Sequence, residues 1–232
     1  MAKPRRIVGF GGGFGGTGPG SRLDEYVLGL TGRDRPKVLY LPTPSADADA
    51  QIVNFYDRFA DCAASHLKLF GAPERARWQP LLMDQDVIVV SGGNTANALA
   101  VWRTHGVEAA LREAWERGAV MCGASAGMIC WFECSVTDSF GPQLGPLRDG
   151  LGFLPGSACP HYDSEPRRRP LYRELVAAGF PAGYAADDGV GLCFDGTGLQ
   201  EAVTDIAGRK AYRVELRDGE VRETEVRVRL LA

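Results

Sequence analysis

Short apolar runs that end abruptly in glycine constrain this chain more than any other feature. Arg6-Ile7-Val8-Gly9-Phe10 leads into a glycine-rich stretch from Gly11 to Gly20. Asp86-Val87-Ile88-Val89-Val90 runs straight into Ser91-Gly92-Gly93-Asn94-Thr95, and Gly118-Ala119-Val120-Met121-Cys122 runs into Gly123-Ala124-Ser125-Ala126-Gly127. Their length and β-branched content mark these runs as buried strands. Lys37-Val38-Leu39-Tyr40-Leu41 is a further strand, stopped by Pro42 and Pro44. Helical patterns lie between them. Ser21 can cap a helix through Leu30, and Ile52, Phe55, Tyr56, Phe59, Ala63, Leu67 and Phe70 recur at a spacing that predicts one long amphipathic helix. Val107, Leu111, Ala114 and Trp115 mark the apolar face of another helix. Leu171, Tyr172, Leu175 and Val176 mark a late one. Strands alternating with helices predict an α/β fold with a mostly parallel sheet flanked by helices. From Ala211 to Leu230 the chain alternates on both sides of Asp218-Gly219, which predicts a C-terminal β-hairpin. There is no internal repeat or low-complexity linker, so residues 1–232 are expected to form a single domain.

Composition narrows the functional classes. With 45% hydrophobic and 24% charged residues the chain reads as a soluble globular protein. A net charge of −3 argues against a nucleic-acid partner, which would require a basic face. The basic start, Met1 to Arg6, is followed by too short an apolar run for a signal peptide, and no run is long enough to span a bilayer. A cytoplasmic location without membrane association is expected. The six cysteines, Cys62, Cys122, Cys130, Cys134, Cys159 and Cys193, have no framework spacing and read as reduced core thiols. Cys130 and Cys134 lie one helical turn apart, but no second Cys or His pair completes a metal site. Neither a metal nor a cofactor is expected.

The most informative segment is Gly123-Ala124-Ser125-Ala126-Gly127, a G-x-S-x-G elbow between a strand and a helical pattern. A nucleophile on so tight a turn is held in a strained backbone. The residues two positions either side must lack side chains for the turn to close. The hydroxyl then projects from the sheet edge and the Ala126 amide faces the substrate. A serine needs a base, and the chain has three histidines. His66 falls on the long amphipathic pattern and His105 in a helix-end Thr-His-Gly turn. His161, in Ala158-Cys159-Pro160-His161-Tyr162-Asp163, follows a strand end, where ligands bind in open α/β sheets. The orienting acid is sought in Ala185-Ala186-Asp187-Asp188-Gly189, where neighbouring side chains face opposite ways and only one carboxylate can serve. Ser91-Gly92-Gly93-Asn94-Thr95 can supply the second oxyanion amide, with Asn94 and Thr95 either facing substrate or capping a helix. The order Ser, His, Asp, with a third of the chain after His161, argues against the α/β-hydrolase fold.

Together these segments resemble, in order and spacing, the peptidase E (aspartyl dipeptidase) family. The carriers are Gly92-Gly93-Asn94-Thr95, the elbow at 123–127, Pro160-His161 and Asp187-Asp188-Gly189. Gly11-Gly12-Gly13-Phe14, Leu41-Pro42-Thr43, Cys130-Trp131-Phe132-Glu133, Val136-Thr137-Asp138-Ser139 and Arg168-Arg169-Pro170 look like its peptidase E-like branch. The resemblance implies a doubly wound fold related to class I glutamine amidotransferases, with serine in place of their cysteine. It implies Ser125 as nucleophile, His161 as base, Asp188 where aspartyl dipeptidase has glutamate, and Gly93 and Ala126 at the oxyanion amides. An arginine that binds the substrate's aspartate falls at about Arg168. Aspartyl dipeptidases proper differ from this chain in the first-strand loop and in Met128 to Glu133.

The expected activity is that of a serine peptidase cutting short peptides as a dipeptidase, through an acyl-enzyme, with an N-terminal aspartate preference. A small peptide is the expected partner, and a homodimer is left open. Two other readings stand beside it. One is a cyanophycinase-like hydrolase of aspartate–arginine peptides. The other is a nucleotide-binding protein, since Gly11 to Gly16 formally matches G-x-G-x-x-G. The second strand, however, ends in Leu41-Pro42-Thr43-Pro44 without the ribose-binding acid that such a site needs.

Overall fold

The computed structural model describes residues 4–13 and 21–231. The chain opens with β1 (Arg6–Phe10), α1 (Arg22–Gly29), β2 (Lys37–Leu41), α2 (Asp49–Arg58) and β3 (Ala63–His66). It continues with α3 (Arg75–Met83), β4 (Val87–Val90), α4 (Thr95–His105), α5 (Val107–Glu116), β5 (Val120–Ala124) and α6 (Ala126–Ile129). Next come β6 (Phe132–Thr137), β7 (Gly145–Leu147), β8 (Leu154–Cys159), α7 (Arg168–Ala177) and β9 (Gly183–Ala186). The chain closes with β10 (Val190–Asp195), β11 (Gly198–Thr204), β12 (Ala211–Arg217), β13 (Glu220–Val226) and β14 (Val228–Leu230).

The strands form an eight-stranded sheet in the order β14-β11-β10-β1-β5-β4-β2-β3. From β1 through β5, β4 and β2 to β3 every pairing is parallel, while β10 and β11 join antiparallel. Alternation along each parallel strand divides the core. Val8, Phe10, Val38, Tyr40, Val87 and Val89 pack with Leu23 and Val27 of α1 and Ile52 and Phe55 of α2. Ile7, Leu39, Ile88 and Met121 point to the opposite face, toward Trp78, Trp102 and Leu111 of α3, α4 and α5. Burial on both faces is why these strands read as unbroken apolar runs. Ser21 caps α1 through its side chain, accepting the Asp24 amide at 3.2 Å.

Two features depart from the sequence-based expectation. The single long helix over Ile52 to Phe70 is not present. Its first half is α2, which ends at Arg58, and its second half is β3, paired in parallel with β2 from Lys37↔Ala63 to Tyr40↔His66. The helical spacing continues past Arg58 by coincidence. The open edge of β2 offers Ala63–His66 backbone partners, and tertiary pairing overrides the local period. The second departure is a separate six-stranded sheet, β13-β12-β9-β8-β6-β7, where one sheet was expected. Strands β12 and β13 pair antiparallel about Asp218-Gly219, and β14 crosses to lie parallel to β11. All six cysteines are buried and free. No helix among the described residues is long and apolar enough to cross a membrane.

Candidate active site

Strand β5 delivers Ser125 at the carboxyl edge of the parallel sheet, between β1 and β4. Its backbone is at φ 56° and ψ −112°, a conformation that costs a non-glycine residue about 1–3 kcal/mol and persists only where neighbours enforce it. They do so here. The Ser125 amide donates to the Phe10 carbonyl at 3.1 Å, and the Ser125 carbonyl accepts the amides of Met128 and Ile129 at 3.0 Å. A Cβ on Gly123 would collide with the Val90 carbonyl oxygen and lie 2.9 Å from Gly127 Cα; one on Gly127 would lie 3.0 Å from the Val90 carbonyl carbon. The two glycines therefore let the turn close against the end of β4. The helix expected after the elbow is a single turn, α6, and β6 begins three residues beyond it.

His161 is placed by the loop after β8. Its φ is 53°, and its amide donates to the Gly11 carbonyl at 3.0 Å, tying it to the loop after β1. Its Nδ1 lies 2.7 Å from Asp188 Oδ1. With a carboxylate as partner the proton resides on Nδ1, leaving Nε2 free to accept. The paired aspartates face different ways, though in a turn after β9 that the Val190 amide closes on the Asp187 carbonyl at 3.2 Å rather than in an extended strand. Asp187 turns away, accepting the Lys210 amide on Oδ2 at 2.9 Å, and burial raises its pKa in spite of that bond. Asp188 faces the imidazole. Its own amide donates to Asp163 Oδ1 at 2.9 Å, and Asp163 is ion-paired with Arg209.

Gly12 supplies the space for this pair. A Cβ there would lie 2.6 Å from both Nδ1 and Cε1 of His161 and closer still to Asp188 Oδ1. The Gly12 carbonyl also accepts the Gly189 amide at 2.8 Å. Gly12 thus accommodates the histidine–aspartate pair, while Gly11 admits the backbone carbonyls of Ala186 and Asp187. Phe14 to Gly20, which include the last three positions of the formal dinucleotide fingerprint Gly11 to Gly16, lie outside the described residues.

Ser125 and His161 line one cleft of about 300 Å³ with Gly93, Asn94, Asp138, Glu165 and Arg168. At Gly93 the chain takes φ 130°, and a Cβ would approach the Pro44 carbonyl carbon to 2.5 Å, so only glycine fits. The amides of Gly93 and Ala126, the expected oxyanion donors, have no hydrogen-bond partner among the described residues.

Three expected substrate contacts differ from this picture. Asn94 lines the cleft, but its side chain is engaged in the fold. Oδ1 caps α4 by accepting the Asn97 amide at 2.9 Å, and Nδ2 donates to the Ser139 carbonyl at 2.9 Å. Thr95 is 1% exposed, in the first turn of α4, and does not line the cleft. Arg168 reaches the cleft wall at 3% exposure, with Nε donating to Glu165 Oε2 and Nη1 to the Val136 carbonyl, each at 2.8 Å. Its charge is therefore already balanced by Glu165, although these bonds use only two of its five N–H donors. His66 sits on the edge strand β3, its Nδ1 2.8 Å from the Tyr56 hydroxyl, and His105 ends α4; neither lines the cleft. Asp138, Asp163, Glu165 and Gly12 escaped the sequence-level assignment of site residues. Gly12 lies in a glycine run that admits more than one reading, and Asp138 in a stretch that carries the family resemblance, but neither pattern assigns the residue a role.

The model of peptidase family S51 matches residues 7–202. A curated Bacillus subtilis (strain 168) protein, named uncharacterized peptidase YgaJ, is 46% identical over 224 residues, covering 95% of this chain and 96% of its own. Among solved structures, a peptidase from an acI-B1 Actinobacterium superposes with a TM-score of 0.70 at 16% identity, over 98% of this chain and 96% of that one. A putative peptidase E protein from Listeria monocytogenes EGD-e superposes with a TM-score of 0.55 at 15% identity, over 97% and 100%. These structural likenesses speak for the fold.

Proposed function

The chain belongs to peptidase family S51, and on that footing we propose that it is a serine peptidase acting on short peptides, as a dipeptidase, through a Ser125–His161–Asp188 triad. The observation that carries this reading is that His161, held by Asp188 at 2.7 Å, lines the same cleft as a serine on a strained elbow. In the proposed cycle Ser125 Oγ attacks the scissile carbonyl while His161 Nε2 takes its proton. Asp188 holds the ring and stabilises the imidazolium that forms. The amides of Gly93 and Ala126 receive the developing oxyanion, a contribution worth about 2.7–4 kcal/mol per donor in other acyl transferases. The imidazolium then protonates the leaving amine, an acyl-enzyme remains on Ser125, and water activated by His161 releases the acid. Strain at Ser125 supports the reading further, because such backbone cost is retained where function requires it.

The test is Ser125→Ala assayed against a panel of dipeptides and aminoacyl anilides. Loss of the nucleophile should leave the fold intact and lower kcat by several orders of magnitude, about 10⁶-fold where a nucleophilic serine has been removed elsewhere. A variant with near-native turnover would reject the assignment.

A further inference from the structure

The charges lining the cleft bear on what the enzyme selects. This inference rests on the peptidase reading above and adds the substrate's charge. Setting aside the triad, the ionisable groups lining the cleft are Asp138, Glu165 and Arg168. Glu165 and Arg168 neutralise each other through the 2.8 Å contact between Nε and Oε2. Asp138 is exposed, and its carboxylate has no hydrogen bond or ion pair among the described residues. Its backbone, in contrast, is firmly held. Asp138 follows the last residue of β6, and the next residue, Ser139, is tied to the start of α4 by its carbonyl, which accepts Asn94 Nδ2 at 2.9 Å. Ser139 Oγ also lies 2.7 Å from Thr137 Oγ1 and accepts the Ala96 amide at 3.3 Å. The unpaired carboxylate therefore sits on a fixed segment beside the loop carrying Gly93.

We propose that Asp138 is a specificity-determining residue that receives a cationic group on the substrate residue whose carbonyl is attacked by Ser125. A cleft of about 300 Å³ is at the small end for a ligand site, so an acyl residue bound at Ser125 shares its space with Asp138. An acidic side chain there would meet an uncompensated negative charge and an arginine already paired. An ammonium or guanidinium group would gain a charge-assisted hydrogen bond. Repulsion of the wrong charge and attraction of the right one then act in the same direction.

The cation has two sources, a free N-terminus or a basic side chain, and the assay separates them. Wild type and Asp138→Asn are compared on alanine p-nitroanilide, its N-acetyl form, N-acetyl-lysine p-nitroanilide and aspartate p-nitroanilide. If the terminal ammonium is the ligand, Asp138→Asn lowers the preference for free over acetylated alanine by about tenfold to a hundredfold in kcat/KM. If the lysine side chain is the ligand, the same loss falls on the ratio of acetyl-lysine to acetyl-alanine. Asp138→Lys should reverse the sign of the lysine-over-aspartate preference. Unchanged ratios in Asp138→Asn, or a wild-type preference for the aspartate anilide, would overturn the proposal. Fluorophosphonate labelling of wild-type Ser125 checks the underlying peptidase reading separately. Labelling with unchanged ratios rejects only the role of Asp138, whereas absence of labelling rejects both.

Discussion

Gly12→Ala is the substitution in which the site geometry makes its sharpest claim. The backbone at Gly12 lies outside the left-handed region, so alanine can adopt it. The new methyl carbon would nevertheless lie 2.6 Å from Nδ1 and Cε1 of His161, about 1 Å inside ordinary carbon contact. It would overlap Asp188 Oδ1 more severely. Both side chains are partly exposed, at 20% and 29%, so they can swing aside and the main chain need not move. The fold should survive while the His161–Asp188 bond is lost. A misplacement of about 1 Å costs on the order of 10²-fold, and removal of the orienting carboxylate about 10⁴-fold. The expected fall in kcat is therefore between these limits, or about 3–5 kcal/mol of transition-state stabilisation. Steady-state kinetics on the best dipeptide, with a thermal melt as a folding control, reads the effect. The double variant with Asp188→Asn should be little worse than the more impaired single variant, because both remove one interaction. Native-like kcat in Gly12→Ala would refute the account of the glycine loop. So would additive losses in the double variant.

The divided roles of the paired aspartates make a second prediction. Asp188→Asn should lower kcat by about a thousandfold or more, whereas Asp187→Asn, which can still accept the Lys210 amide, should change it by less than about tenfold. The reverse order would exchange the assignments. A third concerns acid stability. Burial alone would raise the pKa of Glu223, but hydrogen bonds from Arg169 and Tyr162 outweigh it and hold the group below its ordinary value. A depressed folded-state carboxylate stabilises the protein above its unfolded pKa, and that contribution is lost as pH falls through the folded value. Thermal melts between pH 7 and pH 3 should therefore decline more steeply for wild type than for Glu223→Gln; parallel curves would contradict this.

The sequence makes the parallel core legible because β1, β2, β4 and β5 are buried on both faces, leaving apolar runs bounded by glycine and proline. The second sheet is far less visible. Strands such as β8 (Leu-Pro-Gly-Ser-Ala-Cys) and β9 (Gly-Tyr-Ala-Ala) are short and rich in small residues, and their state is decided by pairing partners distant in sequence. The same applies to β3, where Ala-Ala-Ser-His has little strand propensity of its own. At the site, the elbow carries a local motif, and the scarcity of histidine makes His161 easy to nominate. Asp163 has no local signature, since its carboxylate meets the Asp188 amide across 25 residues. Gly12 shows how one pattern serves different ends. A glycine run after the first strand admits close approach of any group, and only the fold identifies the group as the His161–Asp188 pair. The resemblance puts a substrate-binding arginine at about Arg168, but it cannot show that Glu165, three residues before it, already pairs with that side chain.

The central claim is that Ser125 becomes acylated, with His161 and Asp188 activating it. Incubation with a fluorophosphonate, followed by peptide mass spectrometry, tests this most directly. The account predicts one stoichiometric adduct on Ser125, formed markedly more slowly in Asp188→Asn and absent in Ser125→Ala. An adduct on another residue, or a catalytically competent enzyme that takes no label, would contradict it.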